Sequence, residues 1–362
     1  MRFLVTLLLF PLFLKAQNPV QVRIHKNIEL INVLAVQNAA GLLKDTLTNP
    51  WMRDNSVLMR RSYYHFLPVQ QLPIFRTYQA LEDKMGTGMY LLGLYYSEVP
   101  TARRLVALPD VFLEAVSPNR DSVIRAFDQF FGQLNQLYTE VRFADYLRQN
   151  GPIYAQAVAE VKRNLPPAGF TKALEQYYGG HKHSYNLILN PYFKSDWGMG
   201  WEVSGPAGTD VYNITAPFVK ANVSATGQVE TTGFDDRAGV RRLSVHEFGH
   251  TFVNPLAYQP SVRKQIEAYN SLYEPIKGDE QYSDWHTQFC EYVVRAGEIR
   301  IALKTGNPAD AEAVRKQNAR WKYLPHFVRQ LERYETNRRQ YPTFEAFLPS
   351  LIASLKDLQR GR

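Results

Sequence analysis

The sequence predicts an α+β protein that is mostly helical and contains one small sheet. Before residue 180, apolar side chains recur three and four positions apart, which is typical of amphipathic helices. Between residues 184 and 223, short runs rich in β-branched and aromatic residues predict strands, and helical spacing returns after Pro255. A chain of 362 residues is long enough to bury a sizeable core and to form more than one subdomain.

The first half of the chain begins with a predicted short strand and continues with helices. The predicted elements are a strand at 21–25, a mixed apolar segment at 28–43, helical spacing at 72–96 that breaks near Gly86 and Gly88, one long amphipathic helix at 121–149, and helices at 153–165 and 170–178. Pro166-Pro167 and Gly179-Gly180 are expected to end the last two helices, because proline cannot continue a helix and glycine readily adopts the conformation that terminates one.

The second half is predicted to begin with strands and to end with helices. Strands are expected at 184–190, 211–216 and 219–223, with a glycine-rich segment at 198–208 that follows Trp197 and contains Trp201. Gly208-Thr209-Asp210 is interpreted as a turn. The helices after Pro255 are expected at about 261–272, 281–304, 308–334 and 343–358.

The motif His246-Glu247-Phe248-Gly249-His250 has the H-E-x-x-H pattern of zinc-dependent hydrolases. On a helix, His246 and His250 project from one face and can hold one Zn²⁺, leaving room for a third ligand and a water. Glu247 is then placed to take a proton from that water. Strands followed by such a helix predict a zincin-like catalytic core, in which an edge strand pairs with extended substrate.

The helix that carries this motif is predicted from Arg237 to Val253. Asp235-Asp236 can cap its start, and Asn254-Pro255 is expected to end it, because the residue before a proline is driven out of helical geometry. Gly249 inside the helix is expected where another backbone passes close to the metal-binding face.

Residues downstream of the motif decide its subclass. Val253 and Leu256 occupy positions where a three-histidine pattern needs glycine and histidine, so that pattern is excluded. Glu291, beside the apolar stripe of a later helix, is the preferred third ligand, and Arg295 one turn on could orient it. The alternative is an ordinary ion pair between Glu291 and Arg295.

His286 is the competing third ligand. It lies five positions before Glu291, about 140° away around a helix, so the two side chains are not expected to reach one metal ion. If Glu291 is the ligand, His286 is expected to line the cleft. His286, Tyr282 or Arg295 would then donate a hydrogen bond to the oxyanion of a tetrahedral intermediate. Cys290, the sole cysteine, is expected to be buried and inert.

The stretch from Ser244 to Pro255, followed by the helix with Glu291 and Val294-Arg295-Ala296, resembles a family of exported bacterial proteins. The shared domain of that family has no assigned function, and its members are regarded as gluzincin-like metallopeptidases. The resemblance covers roughly residues 180–300 closely and the N-terminal part loosely. It implies His246 and His250 as ligands and Glu247 as the catalytic residue.

Residues 1–16 are predicted to be a secretory signal peptide, with a charged start, a short apolar run and cleavage after Ala16. The end of this segment resembles signals of Bacteroidetes. A periplasmic or secreted protein is expected, and the lack of a cysteine near the cleavage site argues against a lipoprotein. No later stretch predicts a stable membrane span. The remaining chain is divided into a mainly helical region at 17–180, the catalytic core at 181–305 and C-terminal helices at 306–362.

The predicted function is that of an exported zinc-dependent metallopeptidase with one Zn²⁺ per chain and a peptide or protein substrate. Loss of the signal peptide removes Arg2 and Lys15 and lowers the net charge from +8 to +6, but no nucleic-acid-binding motif accompanies the basic residues. Two alternatives remain open. One is a non-enzymatic exported binding protein with a structural zincin-like core, and the other is a zinc hydrolase that cleaves a different type of bond.

Overall fold

The computed structural model describes residues 20–39, 57–192, 198–224, 228–278 and 282–360. The predicted signal peptide and Trp197 lie outside the described residues. Helices dominate, and the strands are short, so the predicted α+β, mostly helical class is confirmed. Within these ranges, no helix is both long and apolar enough to cross a membrane.

The structure contains helices before, between and after the strands. The α-helices are α1 Lys26–Asn38, α2 Val57–Phe66, α3 Pro73–Met85, α4 Gly88–Leu92, α5 Asp110–Val116, α6 Arg120–Glu140, α7 Phe143–Gln149, α8 Gly151–Asn164, α9 Phe170–Tyr178, α10 Arg237–Ala257, α11 Pro260–Glu267, α12 Trp285–Lys304, α13 Pro308–Gln317, α14 Leu324–Thr336, α15 Phe344–Ala353 and α16 Leu355–Arg360. The strands are β1 Gln21–Arg23, β2 Ser184–Leu189, β3 Gly198–Gly205, β4 Gly208–Thr215, β5 Asn222–Val223 and β6 Val229–Thr231.

The main sheet has the strand order β1-β2-β4-β3. Strands β1, β2 and β4 are parallel to one another, whereas β3 lies antiparallel to β4 at the edge. Strand β1 comes from the N-terminal region, so the sheet extends beyond residues 181–305. Strands β5 and β6 form a separate two-stranded pair.

The sheet lies between two helical layers, because its side chains alternate between two cores. Leu187 and Val211 pack with residues of α10, α12, α14 and α15. Ile188 and Ile214, one and three positions later on the same strands, face the opposite side and pack with residues of the N-terminal helices such as Phe127 of α6. A strand that is apolar on both faces is expected in this arrangement, and β2 is buried along most of its length.

The predictions of single helices at 121–149, 308–334 and 343–358 are wrong, and the last of these segments is divided into α15 and α16. The segment predicted at 121–149 is divided into α6 and α7, because Arg142 adopts a left-handed conformation with φ of 51°. The segment predicted at 308–334 is divided into α13 and α14. Asn318 Nδ2 donates to the carbonyl of Val314 at the end of α13, and the chain then turns to bury Trp321.

Residues 198–205 of the glycine-rich segment form strand β3, which was not among the predicted strands. The turn predicted at Gly208-Thr209-Asp210 is instead the start of β4. The strand predicted at 219–223 shrinks to Asn222–Val223. Glycine is uncommon in strands and has no side chain. Residues 198–200, which include two glycines, therefore show no alternation that would predict a strand.

The motif helix continues through Pro255 to Ala257, so the predicted end at Asn254-Pro255 is wrong. Proline has no N–H, which leaves the carbonyl of Thr251 without its helical donor. Nζ of Lys182 donates to that carbonyl at 3.0 Å. A side chain from another part of the chain therefore satisfies the group that the proline would otherwise leave unpaired. The predicted cap is present, since Asp236 accepts from the backbone amides of Ala238 and Gly239.

Candidate metal centre

Helices α10 and α12 bring three side chains to one point. The Nε2 atoms of His246 and His250 are 3.1 Å apart. Glu291 reaches the same point from α12, with Oε1 3.1 Å from His250 Nε2 and Oε2 3.5 Å from His246 Nε2. These residues form a group whose ligand atoms lie within 4.8 Å of one another, and it is the one such group in the part of the chain that the structure describes.

Both imidazole rings are oriented through their other nitrogen. Nδ1 of His246 donates to Oε2 of Glu298 at 3.0 Å, and Nδ1 of His250 donates to Oδ1 of Asn254 at 3.2 Å. Because both acceptors are oxygens, the protons belong on Nδ1 and the lone pairs of both Nε2 atoms face the shared point. Two converging lone pairs repel each other unless a cation lies between them.

Glu291 is held by Arg295, one turn along α12. Nη2 of Arg295 lies 2.9 Å from Oε2 of Glu291, and Nη1 donates to Oδ1 of Asn318 at 2.5 Å. The guanidinium also lies over the ring of Trp321, 4.5 Å from its centroid. Although Arg295 forms an ion pair with Glu291, no described group makes a hydrogen bond to Oε2 of Glu291, and this oxygen is buried.

The electrostatics of the cluster favour a cation. Burial lowers the pKa of His246, but the carboxylates of Glu298 and Glu291 outweigh burial and raise this pKa to about 10. Burial raises the pKa of Glu291, but His250 and His246 outweigh it and hold this pKa well below its usual value. The site therefore attracts positive charge.

A metal ion fits this set of atoms. The donors are two imidazole nitrogens and one carboxylate, the combination found in catalytic zinc sites that keep a fourth position open. The buried Oε2 atom of Glu291 and the two facing Nε2 atoms would all gain a partner. The side chains of His246 and His250 are each only 11% exposed, and that of Glu291 is 7% exposed. The cluster could therefore hold a metal ion.

Glu247, which follows His246 in the motif, lies against strand β3. Its Oε2 atom accepts a hydrogen bond of 2.6 Å from the backbone amide of Gly200. A Cβ atom on Gly200 would lie 2.3 Å from the carbonyl oxygen of Glu247, and one on Gly198 would lie 2.8 Å from Leu243. The two glycines of β3 therefore allow the edge strand to approach the motif helix closely enough to orient its glutamate.

Four other residues singled out in the sequence differ in their contacts, namely His286, Tyr282, Arg295 and Cys290. His286 is buried, and its Nε2 atom donates to the carbonyl of Ala257 at 3.0 Å, so it does not join the ligand group. Tyr282 packs on Trp321 and lies 5.9 Å from the guanidinium of Arg295. Arg295 contacts Glu291 directly. Cys290 is buried, and burial raises the pKa of its thiol far above the usual value.

Glu298, Asn254 and Gly200 orient the site but were not assigned roles from the sequence. Glu298 follows Glu291 by seven positions, two helical turns on the same face, and Asn254 follows His250 by one turn. Those spacings place Glu298 and Asn254 on the same helical faces as Glu291 and His250, so both could have been identified from the sequence. Asn254 was missed because it was interpreted as the end of the helix. Gly200 contacts Glu247 from a distant strand, and nothing in the sequence pairs them.

Glycine also allows α10 and α12 to pack around Tyr178 of α9. A Cβ atom on Gly249 would lie 3.2 Å from Val294 and 3.4 Å from the hydroxyl of Tyr178. A Cβ atom on Gly297 would lie 2.2 Å from the same hydroxyl. The expectation that a backbone passes close to Gly249 is therefore wrong. The close neighbours are side chains, and the backbone approach occurs at Gly200.

The fold and the site define an α+β, mostly helical protein with a buried cluster of two histidines and one glutamate on neighbouring helices. Residues 99–354 match the family described as a domain of unknown function (DUF4932), and the chain belongs to this family. The predicted resemblance to a family without assigned function is confirmed to that extent, and the match carries no information on peptidase activity or bacterial source. Searches of the curated proteins and of the solved structures found no match.

Proposed function

We propose that this protein is an exported zinc-dependent peptidase with a zincin-like catalytic core. The observation that carries the proposal is the placement of His246, His250 and Glu291 around one point, with Glu247 directly after His246 in the motif. This donor set suits Zn²⁺ better than Mg²⁺ or Ca²⁺, which prefer all-oxygen sites. The export part of the proposal rests on the sequence of residues 1–16.

The residues of the site have separate roles in this proposal. His246, His250 and Glu291 would hold the ion, while Glu298, Asn254 and Arg295 orient them. When bound, Zn²⁺ supplies a Lewis acid that polarises a carbonyl and lowers the pKa of water. Glu247 takes a proton from the attacking water and passes it to the leaving amine.

The amide of Gly200 keeps the Glu247 carboxylate in place for this proton transfer. Oε2 of Glu247 accepts this hydrogen bond at 2.6 Å, which fixes the orientation of the carboxylate. Since β3 is the edge strand of the main sheet and lies against the motif helix, it supports the proposal that extended substrate binds along this edge by backbone pairing.

His286, Tyr282 and Arg295 are the candidate donors to the oxyanion in this proposal. The Nε2 proton of His286 is engaged by Ala257, and the guanidinium of Arg295 contacts Glu291 and Asn318. The ring centroid of Tyr282 lies 5.9 Å from the guanidinium of Arg295, so Tyr282 is close to the residue that contacts Glu291.

One experiment tests the proposal. The mature chain is purified without chelators, its metal content is measured by mass spectrometry, and cleavage of a peptide library is compared between wild type and Glu247→Gln. One zinc in both proteins and cleavage by wild type alone is the expected result. If both proteins contain zinc but neither cleaves a peptide, a binding protein or a hydrolase of another type of bond is favoured. If the purified protein contains no metal and takes up no zinc, the proposal is overturned.

A further inference from the structure

A cavity of about 390 Å³ lies among the start of α9, the first half of α10, the second half of α12, and α13. Its apolar wall includes Phe170, Val245, Ile301 and Val314. The volume is at the small end of the range for sites that bind small molecules. A small organic ligand therefore fits this cavity better than a segment of protein.

Glu298 connects this cavity to the metal centre. One carboxylate oxygen, Oε2, accepts the hydrogen bond from His246. The other, Oε1, is buried and makes no hydrogen bond among the described residues, and Glu298 lines the cavity with only 4% of its surface exposed. A buried carboxylate oxygen without a donor is costly, so a ligand that donates a hydrogen bond there would be stabilised.

Arg241 offers the complementary group on the same cavity. Its Nε atom is buried and makes no hydrogen bond among the described residues. Nη1 of Arg241 lies 3.8 Å from Oδ2 of Asp310, a long ion pair that leaves Nε–H available. Arg242 adds a second guanidinium to the lining, whereas the carboxylate of Asp236 is already used to cap α10.

We propose that this cavity binds a small zwitterion with an apolar side chain, of the class of free α-amino acids. Its ammonium group would donate to Oε1 of Glu298, its carboxylate would accept from Nε of Arg241, and its side chain would lie on Phe170 and Val314. This assignment gives each unpartnered buried atom a charged partner. It concerns a site separate from the metal ligands and does not depend on peptidase activity.

Calorimetric titration with three probes tests the assignment. L-leucine carries both charged groups, 4-methylpentanoate lacks the ammonium group, and 3-methylbutylamine lacks the carboxylate. L-leucine is expected to bind at least about tenfold more tightly than either of the others, since each charge-assisted hydrogen bond contributes on that order. Each titration is made on the zinc-loaded chain and again after dialysis against a chelator, and L-leucine is expected to bind in both.

Two variants locate the binding site. Arg241→Met is expected to weaken L-leucine binding about tenfold, and Ala302→Phe, which fills the cavity, is expected to abolish it. Arg125→Met, an exposed arginine on α6, is the matched control and should change nothing. If Ala302→Phe does not fold, Arg241→Met still decides the question.

Three results would overturn the assignment. They are no binding of L-leucine at about 10 mM, equal binding of the amine or the acid alone, and wild-type affinity in Arg241→Met. Binding that disappears with the zinc would place the amino acid on the metal centre and would also overturn it.

Discussion

Oε2 of Glu298 lies 3.0 Å from Nδ1 of His246, and this contact sets which nitrogen of the imidazole faces Glu291 and His250 in the candidate metal centre. Glu298 is seven positions beyond Glu291 on α12, so one helix supplies both a proposed ligand and the group that orients another ligand. The carboxylate also makes the imidazole more basic and therefore a better donor to a cation.

Replacement of Glu298 by glutamine should weaken zinc binding by about 10- to 100-fold, the usual effect of removing such an orienting carboxylate. The amide of glutamine can still accept from His246, but it brings no negative charge. Zinc affinity is measured by competition with a chromophoric chelator. Glu114→Gln, on the exposed face of α5, is the control. Equal affinities for the two variants would show that Glu298 does not tune the site.

The third ligand is tested by separate alanine replacements of Glu291 and His286. Glu291→Ala removes an oxygen that lies 3.1 Å from His250 Nε2, so most of the bound metal should be lost. His286→Ala removes a hydrogen bond to the carbonyl of Ala257 and should retain the metal with some loss of stability. Metal content by mass spectrometry, normalised to folded protein by circular dichroism, separates the two. Loss of metal from His286→Ala alone would refute the assignment.

The grouping of His246, His250 and Glu291 was predictable because it depends on helical spacing within two segments. His246 and His250 are one turn apart, and Glu291 was identified from its place beside an apolar stripe. The division of residues 121–149 into α6 and α7 was not predictable, since apolar spacing continues across Arg142 and hides the break.

Two further features, the end of the motif helix and the orientation of Glu247, could not be predicted because they depend on contacts between distant segments. The end of the motif helix depends on Lys182, which is 69 positions before Thr251, and the orientation of Glu247 depends on Gly200, 47 positions before it. Pro255 alone predicts a helix end, because the donor that replaces the missing N–H is not visible in the local sequence. Tertiary packing therefore decided both features.

The packing of α12 against Tyr178 predicts a paired effect on stability. Gly297→Ala would place a Cβ atom 2.2 Å from the hydroxyl of Tyr178, so it should destabilise the protein by about 1–3 kcal/mol. Tyr178→Phe removes that oxygen and should recover part of the loss in the double variant. The free energy of unfolding in urea is measured for all four proteins of the cycle.

Gly132→Ala is the control for this substitution. Gly132 lies inside α6 with nothing within 4 Å of an added Cβ atom, so alanine should stabilise the helix by up to about 1 kcal/mol. Strictly additive effects of Gly297→Ala and Tyr178→Phe would contradict the close contact between the two residues.

Glu29 of α1 predicts a dependence of stability on pH. It is fully buried, and burial raises its pKa to about 8, although the hydroxyl of Tyr154 donates a hydrogen bond of 2.5 Å to it and acts in the opposite direction. The folded state therefore favours the protonated carboxyl. Stability is highest below the unfolded pKa of about 4.5, falls as the pH rises, and levels off above about 8.

Glu29→Gln should remove this contribution. Between pH 5 and pH 7 the wild type should lose roughly 2 kcal/mol more stability than the variant, as proton linkage requires for such a shift. Urea unfolding at pH 5, 7 and 8.5 measures the difference between the two proteins, which cancels the titration of other groups. A difference that does not change with pH would mean that Glu29 titrates normally in the fold.

Lys182 and Pro255 should behave as a coupled pair, because the amine occupies the position that the missing N–H leaves open. Nζ of Lys182 donates to Thr251 at 3.0 Å and contacts Glu202 of β3 at 2.6 Å. Lys182→Met leaves a buried carbonyl unpaired and should cost about 1–3 kcal/mol. Pro255→Ala restores the helical N–H, so it should stabilise the Lys182→Met background more than the wild type. Urea unfolding of the four proteins gives a coupling energy that should exceed about 0.5 kcal/mol. Lys162→Met, exposed on α8, should show no coupling with Pro255→Ala. If Lys182→Met also shows no coupling with Pro255→Ala, the continuation of α10 past Pro255 does not depend on the amine of Lys182.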